Sequence, residues 1–479
     1  MLRRTKIVAT MGPATDEIGV LTEMMRAGLD VVRLNASHGT VDDRRRRLAL
    51  VRDAANRADK CIGVLLDLGG PKIRIERFRE GKVTLQEGHA FVLDTALDSK
   101  SGDQQGVGVA YKNLPQDVFA GDTLLLNDGQ IVLDVDRVSG TRIETRVRVG
   151  GDLSDRKGVN RQGGGISAPA ISEKDREDIR FVAQEGIDYM AVSFARDAAD
   201  VEQARTLVRE AGGDARICAK IERQEAIVNL PQIIDASDIV MVARGDLGVE
   251  MGYAELTGLQ KTIIHQSRAR NRVVITATQM MESMIQSPVP TRAEVSDVAN
   301  AVMDGTDAVM LSAESATGRY PVRAVQAMAQ VIEGAEKYQL THTRVRHRVE
   351  GHFKGTEEAI ARTVMYTASH MKVAAIVALT ETGATPLWMS RIRSDIPIYA
   401  FTRHEATRRR VTLFRGVYPV IFDVPGSNAT DVLYRALFSR LLELHLVKKH
   451  DLVILTKGEL SGVQGATNSM VILKVVLDP

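Results

Sequence analysis

Lys220 and Glu222 stand two residues apart in the run AKIE, so on a strand both side chains face the same space. A cation and a carboxylate placed that way are either a plain ion pair or one corner of a reactive site. The run VARGDLG then supplies Arg244, Gly245 and Asp246. Glu222 and Asp246 suit a hard divalent ion, because Mg²⁺ is commonly held by one or two carboxylates completed by water and substrate oxygens. The glycine-containing turn after Arg244 suits the start of a short helix, whose free backbone N–H groups bind a carboxylate or phosphate. Together the two runs offer a cation, two metal ligands and an anion cradle. The run RLNASHG adds Arg33, a planar fork for phosphate, with Asn35 and Ser37 as neutral oxygens, and Asp67 closes the run IGVLLD. Taken alone, Asn, Ser and Asp there read better as caps and turn residues. Thr278 and Gln279, which end VVITATQ, mean nothing by themselves.

Such side chains need rigid strand ends to hold them. Eight apolar runs qualify: TKIVAT, DVVRL, IGVLLDL, IDYMAVSF, RICAKIE, DIVMVA, VVITAT and DAVMLS. All are too apolar to keep a solvated face, as buried parallel strands are. Helical patterns such as EIGVLTEMMRAG and KDREDIRFVAQEG follow most of them and end in glycine, as a helix C-cap does. The fold class is α/β, and the rhythm predicts a (β/α)₈ barrel, whose functional residues gather at the carboxyl ends of its strands. Between about Lys72 and Ser167 the texture changes to alternating runs with Gly-Asp and Asn-Asp-Gly turns, which predicts an inserted small β-barrel domain after the third strand. After the basic connector THTRVRHRVEGHFKG, five further runs (VAAIVALT, PIYAF, PVIFDV, LVILT and MVILKVV) predict a separate open-sheet α/β domain. The expected division is residues 1–71 with 168–340, then 72–167, then 341–479.

At 479 residues the chain exceeds one ordinary domain, which fits that division. Charges of both signs nearly cancel at net +2, so global charge points neither to nucleic acid nor to a membrane surface. The basic runs Arg44–Arg47 and Arg408–Arg410 read as solvated helix faces. Cys61 and Cys218 both lie in apolar runs and read as small core residues, in keeping with a reducing compartment. The N-terminus is a poor signal peptide, and no run approaches the roughly 20 apolar residues that span a bilayer. The expected location is the cytoplasm.

The motifs RTKIVATMGPAT, VVRLNASHG, DLGGPKIR, KGVN, CAKIE, MVARGDLGVE, ATQMMESM and LSAES occur in the order seen in pyruvate kinases. Nearly the whole chain resembles that family, whose C-terminal regulatory domain the last 130 or so residues are also similar to. The resemblance implies transfer of the phosphoryl group of phosphoenolpyruvate to ADP, giving pyruvate and ATP, the closing step of glycolysis. It implies that Lys220 stabilises the phosphoryl group in flight and the enolate left behind. Glu222 and Asp246 would hold Mg²⁺, with Mn²⁺ as a substitute. Gly245 and Asp246 would offer amides to the substrate carboxylate. Thr278 would contact substrate near the proton's path, and Arg33 would contact the transferring phosphate. Asn35, Ala36, Ser37, His38, Arg74 and Lys157 would line the nucleotide side. The inserted domain would act as a lid. A homotetramer is implied by the same analogy.

One departure stands out. Many family members bind K⁺ through oxygens like those of Asn35, Ser37 and Asp67, with Thr where this chain has Leu68 and Glu where it has Lys72. Lys72 resembles the K⁺-independent branch, so a tethered ammonium is expected near the would-be K⁺ site and K⁺ is expected not to be required. In the third domain, Thr380, Thr382, Gly383, Ala384 and Thr385 place hydroxyls and N–H groups at a strand-to-helix turn. That arrangement suits a phosphate or is an ordinary capped turn. The glycine-rich TKGELSGVQGATN is expected to close over the same crevice. The resemblance implies an activating phosphosugar or nucleoside monophosphate there, and the TETGAT wording is closer to members that answer to monophosphates. Two other readings are a barrel lyase of 2-keto acids using Mg²⁺ and an enolate, and a non-catalytic metabolite sensor.

Overall fold

The computed structural model describes residues 2–342, 353, 355–424, 430–458 and 467–476. Most of the connector THTRVRHRVEGHFKG and the middle of TKGELSGVQGATN, residues 459–466, lie outside the described residues. All eight apolar runs form strands: β1 Lys6–Thr10, β2 Val31–Asn35, β3 Gly63–Asp67, β4 Tyr189–Val192, β5 Arg216–Ile221, β6 Ile239–Ala243, β7 Val273–Ala277 and β8 Ala308–Leu311. They close in the order β1-β8-β7-β6-β5-β4-β3-β2, every pair parallel. Because one face of each strand meets the barrel interior and the other meets the helices, both faces are dry. Val8, Val31, Leu65, Tyr189, Cys218, Met241 and Ile275 are among the buried interior side chains. Cys218 is buried and Cys61 is half-buried, and both are free.

Between β3 and β4 the chain builds a six-stranded sheet and a separate two-stranded one. The hairpin Thr123–Leu126 with Ile131–Ser139 turns at Asn127, Asp128 and Gly129, whose φ angles of 51°, 54° and 83° explain the Asn-Asp-Gly wording. One pair in this sheet, Ala90–Asp94 with Gly106–Gly108, is parallel where alternation alone suggested an antiparallel neighbour. This domain has its own core around Phe91, Leu124, Leu133 and Ile143. It touches the barrel where Leu125 and Val132 meet Val249.

The C-terminal sheet runs β11-β10-β9-β12-β13, where β9 is Ala375–Leu379, β10 Ile398–Thr402, β11 Val417–Ile421, β12 Leu452–Gly458 and β13 Thr467–Lys474. Only β13 is antiparallel. The domain seats against the amino-terminal end of the barrel. Leu413 packs into the barrel's interior cluster. Gly63, the first residue of β3, is approached so closely that a Cβ there would lie 2.7 Å from Thr412 Oγ1 and 3.1 Å from the Arg409 carbonyl oxygen. Next to it, Asp188 accepts from the Val64 N–H at 2.9 Å and from Arg409 Nε at 2.9 Å.

Candidate active site

The opposite, carboxyl-terminal rim gathers the polar strand ends. Lys220 on β5 is largely but not fully buried, and its Nζ lies 2.8 Å from Ser193 Oγ, 3.1 Å from Glu222 Oε2 and 3.7 Å from Asp67 Oδ1. Burial works against its charge, but Asp67, Glu222 and Asp246 outweigh it and hold the ammonium well above the ordinary lysine range. Asp67, ending β3, takes Arg33 of β2 through Nε at 2.8 Å, and a further Arg33 nitrogen binds Thr10 Oγ1 at 2.9 Å. Burial opposes the Asp67 charge too, yet Lys220 and Arg33 prevail and hold its carboxyl below the usual range. The caps-and-turns alternative therefore does not describe Asp67, whose charged partners come from two other strands, β2 and β5. It does describe Asn35, whose Oδ1 accepts from the Ser37 N–H at 3.0 Å.

Strand β6 runs directly into a helix, α1 Arg244–Met251, with Asp246 in its first turn. Arg244 fixes that junction: its guanidinium donates to the carbonyls of Ala277 and Thr278 at 3.2 and 2.7 Å and pairs with Asp297 at 2.7 Å. The Gly245 N–H donates to Thr278 Oγ1 at 2.8 Å. Thr278 and Gln279 both hold left-handed backbone, φ 67° and 53°, which is costly for a β-branched residue and persists where neighbours over-determine it. Two residues that meant nothing in sequence thus form a strained corner beside the helix start.

The two candidate metal ligands differ in how they are held. Glu222 Oε1 accepts from the Phe194 N–H at 2.6 Å, whereas Oε2 is buried and makes no hydrogen bond among the described residues, lying against Lys220 as an ion pair only. Burial pushes the Glu222 carboxyl up, Lys220 pulls it back, and Asp246 and Asp67 push it up again. An orphaned carboxylate oxygen facing a second carboxylate fits a divalent cation. No group of three or more His, Cys, Asp or Glu able to hold a metal occurs among the described residues. Two protein oxygens with the rest left to water and substrate is the habit of Mg²⁺ rather than of a closed structural site.

Lys72 departs from expectation. Its Nζ lies 3.2 Å from Asp246 Oδ1 and 3.9 Å from Asp128 Oδ1, not on Asn35, Ser37 or Asp67. The physical reason is local: Asp67 already has two cations, while Asp246 has no other ion partner among the described residues. Leu68 is buried and uses its backbone, donating N–H to Ala191 and accepting from Ser193 Oγ at 2.8 Å. On the outer side, the charges of Arg74, Lys174 and Arg33 join partial burial in lowering the His38 pKa, so these groups converge. Arg74 bridges Gly158 through its backbone, which sets Lys157 beside it, and Lys174 Nζ holds the Ala36 carbonyl at 2.7 Å.

Sequence reasoning named Arg244 at the strand end but not its partners, and it missed Ser193 and Lys174 as site-building residues. Ser193 had a readable signal, a hydroxyl at the end of an apolar strand run. Lys174 had none, since its partner is remote in sequence. In the C-terminal domain, Thr385 Oγ1 is buried and bonded to Thr467 Oγ1 at 2.7 Å, and Thr380 Oγ1 accepts from the Gly383 N–H at 2.9 Å. These two hydroxyls are spent inside the protein, because the turn closes on itself and on β13, which leaves Thr382 as the open one.

Residues 2–325 match the family model described as pyruvate kinase, barrel domain, and residues 358–473 match that described as pyruvate kinase, alpha/beta domain. Barrel, inserted sheet and charged rim thus define a class, the barrel phosphotransferases. The chain is 51% identical over 478 residues to "Pyruvate kinase II" of Salmonella typhimurium, covering 99% of each chain. It is 50% identical to "Pyruvate kinase" of Haemophilus influenzae, covering 100% of this chain and 99% of that one. It is 42% identical to "Pyruvate kinase" of Geobacillus stearothermophilus, covering 98% of this chain and 80% of that one. The chain belongs to the pyruvate kinase family.

Glu250, at the end of α1 where barrel meets lid, yields a pH prediction. Burial pushes its carboxyl up to about 7, against the pull of the Gln224 N–H and Arg223. Between its unfolded pKa and that value the native state binds a proton that the unfolded chain has released. Stability therefore falls as pH rises through the window. Glu250→Gln should remove that loss, so its melting temperature should exceed the wild-type value by more at about pH 8 than at about pH 5, for a difference on the order of 3 kcal/mol. Parallel wild-type and variant curves in thermal unfolding would contradict this.

Proposed function

We propose that the enzyme transfers the phosphoryl group of phosphoenolpyruvate to ADP, and that the rim around Lys220 carries the reaction. The observation that supports this most is the largely buried Lys220 ammonium among Asp67, Glu222 and Asp246 at the carboxyl-terminal rim of the barrel. Arg33 and Lys220 bind the phosphoryl oxygens, and the amides of Gly245 and Asp246 take the substrate carboxylate at the start of α1. A β-phosphate oxygen of ADP forms the new P–O bond as the bond to the enol oxygen breaks. The electron pair stays on that oxygen, and Lys220 balances the resulting enolate. A proton then reaches the enolate carbon on the Thr278 side, giving pyruvate. Asn35, Ala36, Ser37, His38, Arg74 and Lys157 orient the nucleotide. Glu222 and Asp246 hold Mg²⁺, or Mn²⁺ in its place, which when bound neutralises charge on the phosphoryl and carboxylate oxygens. The inserted domain, residues 72–167 between barrel segments 1–71 and 168–340, closes to exclude water so that transfer outruns hydrolysis. The lyase and sensor readings lose their ground to the full-length match with named kinases.

Lys220→Met should lower turnover by about a thousandfold or more while changing KM only a few-fold, because its charge matters most in the transition state. Glu222→Ala or Asp246→Ala should cost several kcal/mol of transition-state stabilisation. Steady-state kinetics with phosphoenolpyruvate, ADP and Mg²⁺ check both, and near-normal turnover of the lysine variant sinks the assignment.

K⁺ is not required on this reading, since Lys72 already supplies a tethered positive charge at the rim. Activity in sodium-only buffer should nearly match that in K⁺, and Lys72→Glu should make the enzyme K⁺-dependent. A wild-type enzyme idle without K⁺ refutes this.

Regulation is assigned to the C-terminal domain, residues 341–479, acting in a cytoplasmic homotetramer whose subunit number sedimentation would give. A phosphosugar or nucleoside monophosphate binds at Thr380, Thr382, Gly383, Ala384 and Thr385, with the Thr382 hydroxyl as its open contact. Thr382→Ala, assayed at low phosphoenolpyruvate across both effector classes, should raise the activation midpoint by about tenfold, the worth of one charge-assisted hydrogen bond. An unchanged midpoint moves the effector elsewhere.

A further inference from the structure

The last barrel helix, α2 Pro321–His342, and the first C-terminal helix, α3 Thr356–His370, flank a cleft on the side of the barrel away from the catalytic rim. Its volume is about 470 Å³, within the range of small-molecule sites. Four fixed cations line it (Arg4, Lys372, Arg393 and Arg415) against a single carboxylate, Asp395. Leu340, Ala368, Val373 and Ile396 supply an apolar wall.

Two of the arginines are buried, and one of them, Arg415, is short of partners. Arg4 is 5% exposed and Arg415 8%, and the Nε of each lacks a hydrogen-bond partner among the described residues. The Arg415 guanidinium makes no hydrogen bond there at all. Its nearest acid is Glu336, 3.7 Å away. Glu336 is already committed: it accepts from the N–H groups of Arg4 and Thr5 at 2.9 and 2.7 Å, accepts from Thr5 Oγ1 at 2.8 Å, and pairs with Arg4 Nε at 3.5 Å. One carboxylate thus serves two guanidiniums and two backbone donors. Burial draws Arg415 down to about 10, which marks a cation short of a counter-charge. Arg393 spends one nitrogen on the Met303 carbonyl at 2.9 Å, and Arg4 spends its two terminal nitrogens on the Ser394 and Glu336 carbonyls at 3.0 and 3.3 Å, which leaves Arg415 as the buried cation without a hydrogen-bonded partner among the described residues. Buried charge of this kind is costly unless paired.

We propose that this cleft binds a small phosphate monoester, with the phosphate received by Arg393 and Arg415 and the carbon body laid on the apolar wall. Guanidinium forks match phosphate oxygens two at a time, which suits a dianion better than a single carboxylate. The site is distinct from the catalytic rim and from the turn at Thr382. It joins the entrance of β1 to the C-terminal domain, so an occupant ties the two together.

The test is calorimetric titration of the full chain with inorganic phosphate and with phenyl phosphate, for the wild type and for Arg393→Gln, Arg415→Lys and Thr382→Ala. Wild type and Thr382→Ala should share a binding event in which phenyl phosphate is tighter than inorganic phosphate, because the ring meets the apolar wall. Arg393→Gln and Arg415→Lys should each weaken that event by about tenfold or more, as expected for a lost charge-assisted contact. Any event at the catalytic rim persists in all four proteins and is counted separately by stoichiometry. Arg393 is half-exposed, so its variant carries the test alone if Arg415→Lys does not fold. The proposal is overturned if the wild type binds neither probe, if the number and affinity of sites are the same in the arginine variants, or if the arginine-sensitive event vanishes in Thr382→Ala.

Discussion

A lysine ammonium taken out of water inside a barrel must be met by carboxylates, and those carboxylates must in turn be met by something. Lys220 sets this chain of demands. Asp67 and Glu222 answer it directly, Arg33 answers Asp67, and Lys72 answers Asp246. Within this set three cations face three carboxylates. Lys220, Asp67 and Glu222 are the more enclosed part of the set, so loss of one of these three leaves its neighbours' charge poorly compensated. The strand ends are where they are because only a parallel barrel brings β2, β3, β5 and the start of α1 to one rim at hydrogen-bonding range.

The balance also explains why the rim is ready for a metal and an anionic substrate. Among the described residues, Glu222 carries one oxygen with no hydrogen bond, and the one ion partner of Asp246 is a lysine on a flexible stem. Both are poised to exchange their present contacts for stronger ones. The neighbouring backbone is fixed by contrast: Arg244 pins the carbonyls of Ala277 and Thr278, and the Gly245 N–H is already aimed at Thr278. Preorganised donors beside exchangeable carboxylates is the arrangement that phosphoryl transfer rewards.

Much of this was legible in the chain. All eight barrel strands could be read because buried parallel strands are uniformly apolar, and four of the C-terminal strands are parallel in the same way, whereas β13 is an antiparallel edge strand read from its apolar run alone. The i, i+2 spacing of Lys220 and Glu222 was enough to put them on one face. Partners remote in sequence were not legible. Nothing in DLGGPKIR says that Lys72 reaches Asp246 rather than the oxygens beside Asp67, because that choice depends on which carboxylates are already satisfied in three dimensions. Ser193 looked like the tail of an apolar run, and its hydroxyl acquires meaning only when β5 lies alongside β4. The Thr380–Thr385 turn read as a row of free hydroxyls, yet two of them are consumed by Gly383 and Thr467. Composition counts donors but does not show which are spent.

Strand β3 has a further consequence. Its first residue, Gly63, touches the C-terminal domain so tightly that no side chain fits, and its last, Asp67, holds both Arg33 and Lys220. Five extended residues span only about 13 Å between their end atoms. Asp188 clamps the near end by joining the Val64 N–H to Arg409. The strand is therefore a short stiff rod with one end against the C-terminal domain and the other in the reaction chamber. No loop intervenes between the two ends, so the contact with the C-terminal domain and the seat of the two cations that Asp67 keeps in place belong to one element.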